Sequence, residues 1–482
     1  MRHVFLLSVA IIAIGAKAPK ALPSARPITA NDRSVGATEH PKILQEFGGL
    51  YESRQAAYVT KVGRRIALQS GLSNAEGDFT ISLLNSSVNN AFAIPGGYVY
   101  VTRELLALMN SEAELASVLG HEVGHVAARH SKQRENRARL GGIGAAIATV
   151  LGGAVAGDTG AKIGQQLGGL GAQSYVLGFS RAQEYEADDL GVSYLAKTGY
   201  DPFAASSMLA SLAAQTSLDA RAQGQKVQSL PSWQRTHPDP GSRVIRAADR
   251  AKTFLPAGNE RSRDEFLAAI DGMIYGDDPK QGIVDGQTFS HPDFRLSFTA
   301  PNGYAMSNGT QAVTVRGSGG QAQFAGNAYN GDMNAYIGQI FKAVGGANTT
   351  LNYGNISRTN INGISAASAS ATANGQSGLV EVTVVAYEFG PSTAYHFLTI
   401  TPGNGNPFNA MFNSVRRLNN QEAAAIKPRR ISVVTVKSKD TIASLAERMA
   451  YRDLQVERFL TLNALPSNAT LTPGQKVKLV VY

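Results

Sequence analysis

Residues 121 to 125 read His-Glu-Val-Gly-His, and about sixty residues later comes the acidic run Glu184-Tyr-Glu-Ala-Asp188. In a helix, positions i and i+4 lie one above the other on the same face, so His121 and His125 can turn two imidazoles toward one metal ion. Glu122, beside the first of them in sequence, can reach a water at that metal and act as its general base. With 8 histidines in 482 residues the pattern is improbable as an accident. The bland alternative is a surface helix carrying two solvated histidines, and the surroundings speak against it. Leu115, Val118, Leu119, Val123 and Val126 recur at helical spacing through the motif and predict a helix with one buried stripe. Ser111, followed three residues later by Glu114, forms a capping box for its start.

A catalytic zinc takes three protein ligands and keeps a fourth position for water. The third ligand must then come from an element packed against the first helix. Residues 180–196 read as a second helix, on which Glu184 and Asp188 are again i and i+4. One carboxylate can bind the metal, and the other can accept the free N–H of a ligand histidine and so fix its tautomer. Glu186 points about 200° away around the helix from Glu184 and is the weaker candidate. Alone, the run would be an acidic patch; beside His-Glu-x-x-His it completes a site.

These segments resemble the gluzincin zinc metallopeptidases of the HtpX and BepA type, a group that also includes the eukaryotic CAAX-processing proteases. The likeness covers most of residues 40 to 250. It rests on Asn90-Ala-Phe-Ala-Ile-Pro-Gly-Gly-Tyr-Val-Tyr-Val101, the His121–His125 motif, Ser180-Arg-x-x-Glu184-x-Glu-Ala-Asp188-x-x-Gly191, and Arg235-Thr-His237-Pro-Asp-Pro-Gly-Ser-Arg243. The resemblance implies one zinc ion per chain, held by His121, His125 and Glu184, with Glu122 as base and Asp188 behind a ligand. It further implies that His237, a loop histidine, caps or gates the metal and that Arg243 stands near the site. No matched catalytic position departs from the pattern, which argues against a dead enzyme.

Pro95-Gly96-Gly97 is a turn signal, and Tyr98-Val-Tyr-Val101 alternates as a strand. A strand beside the motif helix could take up an extended peptide by sheet-edge pairing; an ordinary core hairpin fits the same residues. The first residues, Met1-Arg-His followed by an apolar core of about a dozen residues, read as a secretory signal peptide over 1–25. A spanning helix would need about twenty. The chain has no cysteine, which excludes lipid attachment at a cysteine, a disulfide framework and thiolate ligands. The expectation is an exported protein of the bacterial periplasm or cell envelope, with membrane association left open. The apolar stretch 140–156 and the glycine-rich 164–171 read as a mobile flap between the metal helices, with a membrane-spanning or membrane-dipping segment at 140–156 as the alternative. The basic run Arg129 to Arg139 reads as a solvated helix face. A net charge of +9, from 45 basic and 36 acidic residues, is spread along the chain. It suits an anionic wall or membrane surface, and nothing resembles a nucleic-acid reader.

The length asks for several domains. The expected architecture is multidomain α+β. A mainly helical zincin-type metallopeptidase domain occupies 40–270, a small antiparallel α+β domain 285–418, and a LysM-like βααβ module 430–482. Residues 42–70 read as an amphipathic helix leading into the peptidase, and Gly199-Tyr-Asp-Pro202 as a helix stop. Within 285–418, runs at 311–316, 378–386 and 393–400 read as strands, and 333–344 and 407–416 as helices. The sequence assigns that domain no role. The last segment resembles a LysM module, which implies binding to N-acetylglucosamine-containing glycans such as peptidoglycan; Lys439 stands where a glycine usually precedes the Asp440-Thr441 pair.

Together these point to a secreted zinc-dependent metalloendopeptidase that hydrolyses polypeptides in envelope protein quality control. Peptidoglycan and outer-membrane or envelope proteins are its expected partners. One alternative is a wall-tethered chaperone-like or binding protein whose peptidase site is latent and gated by His237. Another, a cell-wall hydrolase, is disfavoured because the His-Glu-x-x-His plus Glu pattern suits protein peptides.

Overall fold

The computed structural model describes residues 27–72, 76–133, 179–222, 237, 240–255, 258–345, 351–375, 378–402 and 405–482. The signal-like start, the stretches 140–156 and 164–171, and Arg134 to Arg139 lie outside the described residues.

Two helices, α1 (Ala30–Glu46) and α2 (Arg54–Ala67), stand where one helix over 42–70 was expected. The chain breaks between them at Gly48 and Gly49, whose φ of 82° and 81° are left-handed values that a β-carbon resists. Three strands follow, β1 (Thr80–Leu84), β2 (Ala91–Ile94) and β3 (Tyr98–Thr102), in the order β1-β3-β2. The β2–β3 hairpin turns at Pro95-Gly96-Gly97 and leaves β2 at the sheet edge among the described residues. Thr102 and Ser111 then cap α3 (Arg103–Leu108) and α4 (Glu112–Ala127). Only half of the capping box expected at Ser111 forms. Ser111 Oγ accepts from Glu114 N, while the Glu114 carboxylate takes the amide of Asn110 at 2.7 Å.

The second metal helix, α5 (Arg181–Thr198), starts on a full capping box between Ser180 and Gln183 and stops at Gly199 with φ 84°. Helices α6 (Ala204–Ala222), α7 (Pro240–Lys252) and α8 (Arg263–Ile270) complete the helical unit. Glycine governs how closely α4 and α5 approach. A β-carbon on Gly124 would meet the carbonyl oxygen of Ala187 at 3.1 Å, and one on Gly191 would meet His121 N at 3.0 Å. The glycine inside His-Glu-Val-Gly-His and the one three residues past Asp188 therefore let the two motifs face each other.

Arg129 does not sit on a solvated helix face. The chain leaves α4 just before it, and Arg129 itself turns with φ 55°. Its guanidinium donates to Pro27 O at 2.7 Å and lies 3.3 Å from Asp32, tying the N-terminal helix to the motif helix.

After the short strand β4 (Ile274–Tyr275) come β5 (Ile283–Asp285), β6 (Thr288–His291), β7 (Leu296–Thr299), β8 (Ala305–Asn308), β9 (Val313–Gly317) and β10 (Gly320–Ala328). Helix α9 (Met333–Gly345) precedes β11 (Ser357–Ile361), β12 (Ile364–Gly375), β13 (Gly378–Gly390) and β14 (Thr393–Pro402). Seven of these strands form an antiparallel sheet in the order β11-β12-β13-β14-β10-β9-β8. Tyr336, Ile337 and Ile340 of α9 pack on Val382, Val384 and Leu398 on one face. Phe289 and Phe298 cover Phe324 and Phe397 on the other. The helix expected over 407–416 shortens to α10 (Asn409–Asn413), because Arg416 and Arg417 extend as β15 and pair with β7. A further short helix, α11 (Asn420–Ala425), leads out of the unit.

The last unit is β16 (Arg429–Thr435), α12 (Ile442–Ala446), α13 (Gln455–Leu462) and β17 (Lys476–Val481), the expected βααβ order. Thr441 caps its first helix. This unit is no appendage on a tether. Strand β16 pairs with β17 on one side and with β4 on the other. Leu445, Phe459, Leu462 and Leu479 share one core with Val59, Ile66, Leu115 and Leu119 of the helical unit. Lys478 is fully buried there, and its ammonium donates to the carbonyls of Ala107 and Met109 at 2.7 and 2.6 Å, satisfying the end of α3.

Candidate metal centre

Helices α4 and α5 bring the sequence-selected residues together. His121, His125, Glu184 and His237 each offer one ligand atom, and those atoms all lie within 4.8 Å of one another, with the His121 side chain 12% exposed and the other three residues buried. His121 Nε2 stands 3.0 Å from His125 Nε2, close to the roughly 3.3 Å that two imidazole nitrogens keep on one tetrahedral zinc. Glu184 Oε2 is 3.5 Å from His121 Nε2, and Glu184 Oε1 is 3.5 Å from His125 Nε2. His237 Nδ1 lies 3.3 Å from His121 Nε2 and 3.1 Å from Glu184 Oε2. Two imidazoles, a carboxylate and a third imidazole are the donor types that suit zinc.

The residues behind the ligands are as ordered. Asp188 Oδ1 meets His121 Nδ1 at 2.9 Å, which leaves Nε2 free for a metal. Arg243 grips Asp188 through Nε at 2.8 Å and Nη2 at 2.7 Å, a bidentate pair. Its third nitrogen, Nη1, makes an ion contact of 2.8 Å with Glu184 Oε2. Arg243 thus joins the ligand carboxylate to the orienting one.

Burial and charge set the protonation of the cluster. Burial opposes charge on His121, yet the hydrogen bonds to Asp188 and Glu184 outweigh it and push its pKa up to about 10. A metal ion would have to displace that proton, so binding should release it. Burial, then the neighbouring His121, drives His125 well below the usual histidine range. Burial opposes ionisation of Glu184, but His237 and His121 hold it below the carboxylate range. Asp188 falls to about 2 despite its burial, because of Arg243. Glu122 goes the other way. Burial raises it against the pull of His237 and His121, and its Oε2 is a buried oxygen with no hydrogen-bond partner. Its other oxygen, Oε1, lies 3.5 Å from His237 Nε2, so a carboxylate kept basic with one oxygen free fits the role of proton acceptor.

A cavity opens beside the cluster. Leu105, Val118, Met208, Leu209 and Leu212 form its apolar walls, with Glu122 also lining it. The edge strand β2 passes close by, its Ala91 carbonyl 3.4 Å from His237 Nε2.

One neighbour of the cluster escaped the sequence analysis. His130, three residues past the end of α4, is wholly buried, and its Nδ1 lies 2.9 Å from His125 Nδ1. Its Nε2 reaches Glu186 Oε2 at 3.2 Å. The carboxylate that points away from the metal is therefore placed behind a histidine. A third histidine soon after the motif was the only signal in the sequence.

Residues 53–251 match the model described as Peptidase family M48, and residues 434–480 match the LysM domain model. Residues 53–251 are a peptidase family M48 domain. The chain is similar to the beta-barrel assembly-enhancing protease of Yersinia pestis, 31% identical over 239 residues, 48% of this chain and 46% of that one. The protein of that name from Escherichia coli K12 is 29% identical over 282 residues, 54% of each chain. A mitochondrial metalloendopeptidase OMA1 from Schizosaccharomyces pombe is 31% identical over 216 residues, 44% of this chain and 59% of that one. The chain spans about half the length of the bacterial relatives it matches. Among the described residues, no helix is long and apolar enough to cross a membrane.

Proposed function

We propose that this chain is an exported zinc metalloendopeptidase of the bacterial cell envelope that hydrolyses polypeptides in protein quality control. The observation that carries the proposal is the convergence of His121, His125 and Glu184 on one point, with Glu122 beside it, its Oε1 3.5 Å from His237 Nε2 and its Oε2 without a partner. His121, His125 and Glu184 would hold the ion. When bound there, zinc supplies Lewis acidity, acidifying water and polarising a peptide carbonyl. Glu122 takes the proton of the attacking water and later gives it to the leaving amine. Asp188 and Arg243 keep His121 in the tautomer that presents Nε2. Edge strand β2 offers its backbone to an extended substrate, and the apolar cavity receives a side chain flanking the bond that is cut.

Support for the envelope comes from the signal-like start, the LysM domain and the bacterial relatives, whose name ties them to β-barrel assembly. Polypeptides of the outer membrane or periplasm are the substrates this suggests, and the LysM domain makes peptidoglycan the anchoring partner. Removing metal from the purified full chain with a chelator should abolish cleavage of an unfolded barrel protein, and one equivalent of zinc should restore it. Cleavage that persists in the metal-free protein would contradict the proposal.

His237 is assigned as a gate. Its Nδ1 already lies within the ligand group, where it can take the position a substrate-attacking water needs. Replacing it with alanine should raise cleavage of a short unstructured peptide. This favours a restrained peptidase over a binding protein whose site never works, and an unchanged rate in the variant would remove the gate.

A further inference from the structure

Beyond the ligands and the Asp188–Arg243 pair, a second polar chain leads away from the metal cluster on its other side. It runs from His125 through His130 to Glu186. The proton positions along it follow from the chemistry of the donors. A His125 that gives Nε2 to a metal keeps its proton on Nδ1. That Nδ1–H, 2.9 Å from His130 Nδ1, can only be a donor, so His130 accepts there and carries its own proton on Nε2. The Nε2–H of His130 then donates to Glu186 Oε2 at 3.2 Å. Every group has one role, and the chain ends at a carboxylate whose side chain is 39% exposed.

The fold goes to some length to place His130. The residue before it, Arg129, adopts φ 55°, which a non-glycine side chain disfavours, and that turn returns the chain toward α4 just past its last residue. Phe179 stacks on the His125 ring at 4.0 Å between centroids and also flanks His130, which limits rotation of both rings. A metal-binding histidine usually donates its second N–H to a carboxylate, a backbone carbonyl or water. Here a second imidazole stands between ligand and carboxylate.

We infer that His130 and Glu186 are positioning residues for the metal centre, fixing the tautomer and ring plane of His125 as Asp188 and Arg243 fix His121. The inference rests on the zinc-peptidase reading of the site. Its distinctive content is that the acceptor at His130 Nδ1, and not the bulk of the ring, is what the metal site requires.

The test is zinc affinity of the full chain, measured by competition with a chromophoric chelator, with the thermal midpoint of the metal-free protein as the structural control. His130→Ala should weaken zinc binding by about 10- to 100-fold. His130→Asn, whose amide oxygen can accept near the place of Nδ1, should recover most of that loss. Glu186→Ala, one bond further from the metal, should weaken binding less than His130→Ala. All three should leave the metal-free midpoint close to that of the unaltered chain. Two results overturn the inference: His130→Ala binding zinc within about twofold of the unaltered chain, or His130→Asn binding as poorly as His130→Ala with its fold intact. Should the unaltered chain itself take up no more zinc than a His121→Ala variant, the metal centre falls and the relay with it. Tight binding by the unaltered chain and by His130→Ala alike removes the relay alone.

Discussion

Asp188 Oδ1 lies 2.9 Å from Nδ1 of His121, one turn along α5 from the carboxylate that faces the same histidine's other nitrogen. One helix face thus places both a candidate ligand and the group that would orient a candidate ligand on the neighbouring helix. Changing Asp188 to alanine removes the acceptor for His121 and strips the buried Arg243 of its bidentate partner. Zinc affinity should fall by about 10- to 100-fold, and peptidase activity at limiting zinc should fall with it. Chelator competition measures the first and a fluorogenic peptide the second.

The approach of α4 to α5 rests on Gly191, where a β-carbon would meet His121 N at 3.0 Å and Gly120 C at 3.2 Å. Both are backbone atoms, so nothing can swing aside. Gly191→Val should push the helices apart and weaken zinc binding at least about tenfold, while most helix content survives. Gly77→Val, in open space, should leave affinity unchanged. Circular dichroism with zinc titration distinguishes the two.

Lys478 joins the LysM domain to the M48 domain by donating into the carbonyl end of α3. Lys478→Met keeps the aliphatic stem and removes every donor, leaving buried carbonyls unsatisfied. The expected cost is about 2–4 kcal/mol in urea unfolding of the full chain. Deleting residues 428–482 would strip Phe459, Leu462 and Leu479 from the core they share with the helical unit and leave β4 without its partner strand, and should give insoluble peptidase. A soluble, active truncation would show that the LysM domain is a separable tether.

Much of this site was legible in the sequence because helical geometry is local. The i, i+4 spacing placed His121 with His125 and Glu184 with Asp188 without any knowledge of the fold. What escaped was decided by tertiary turns. His130 becomes a neighbour of His125 only because Arg129 takes a positive φ, and Glu186 gains a function only through His130. The break at Gly48-Gly49 was missed because the apolar pattern runs on past both glycines. The LysM pattern revealed a βααβ unit, but no local feature could show that Lys478 is buried in another domain.

His396 gives the central domain a pH dependence of definite sign. Burial pushes its pKa from 6.5 down to about 4, where it meets the Tyr336 hydroxyl at 3.0 Å and no acidic side chain among the described residues is paired with it. The folded chain therefore resists a proton that the unfolded chain accepts. The stability this histidine contributes is present above pH 6.5 and is lost as pH falls toward 4, by about 3 kcal/mol at pH 4. His396→Gln should flatten that part of the curve. Urea midpoints of both proteins across this range provide the check.

The proposed role of Glu122 is to move the proton at a zinc site built by His121, His125 and Glu184. Its most direct measurement is the Glu122→Gln variant, assayed for bound zinc and for cleavage of an unfolded outer-membrane protein in the same preparation. That variant should hold one zinc per chain, as in the unaltered protein, with turnover lower by at least about 100-fold. A zinc-loaded Glu122→Gln variant that cuts within a few-fold of the unaltered protein would contradict it.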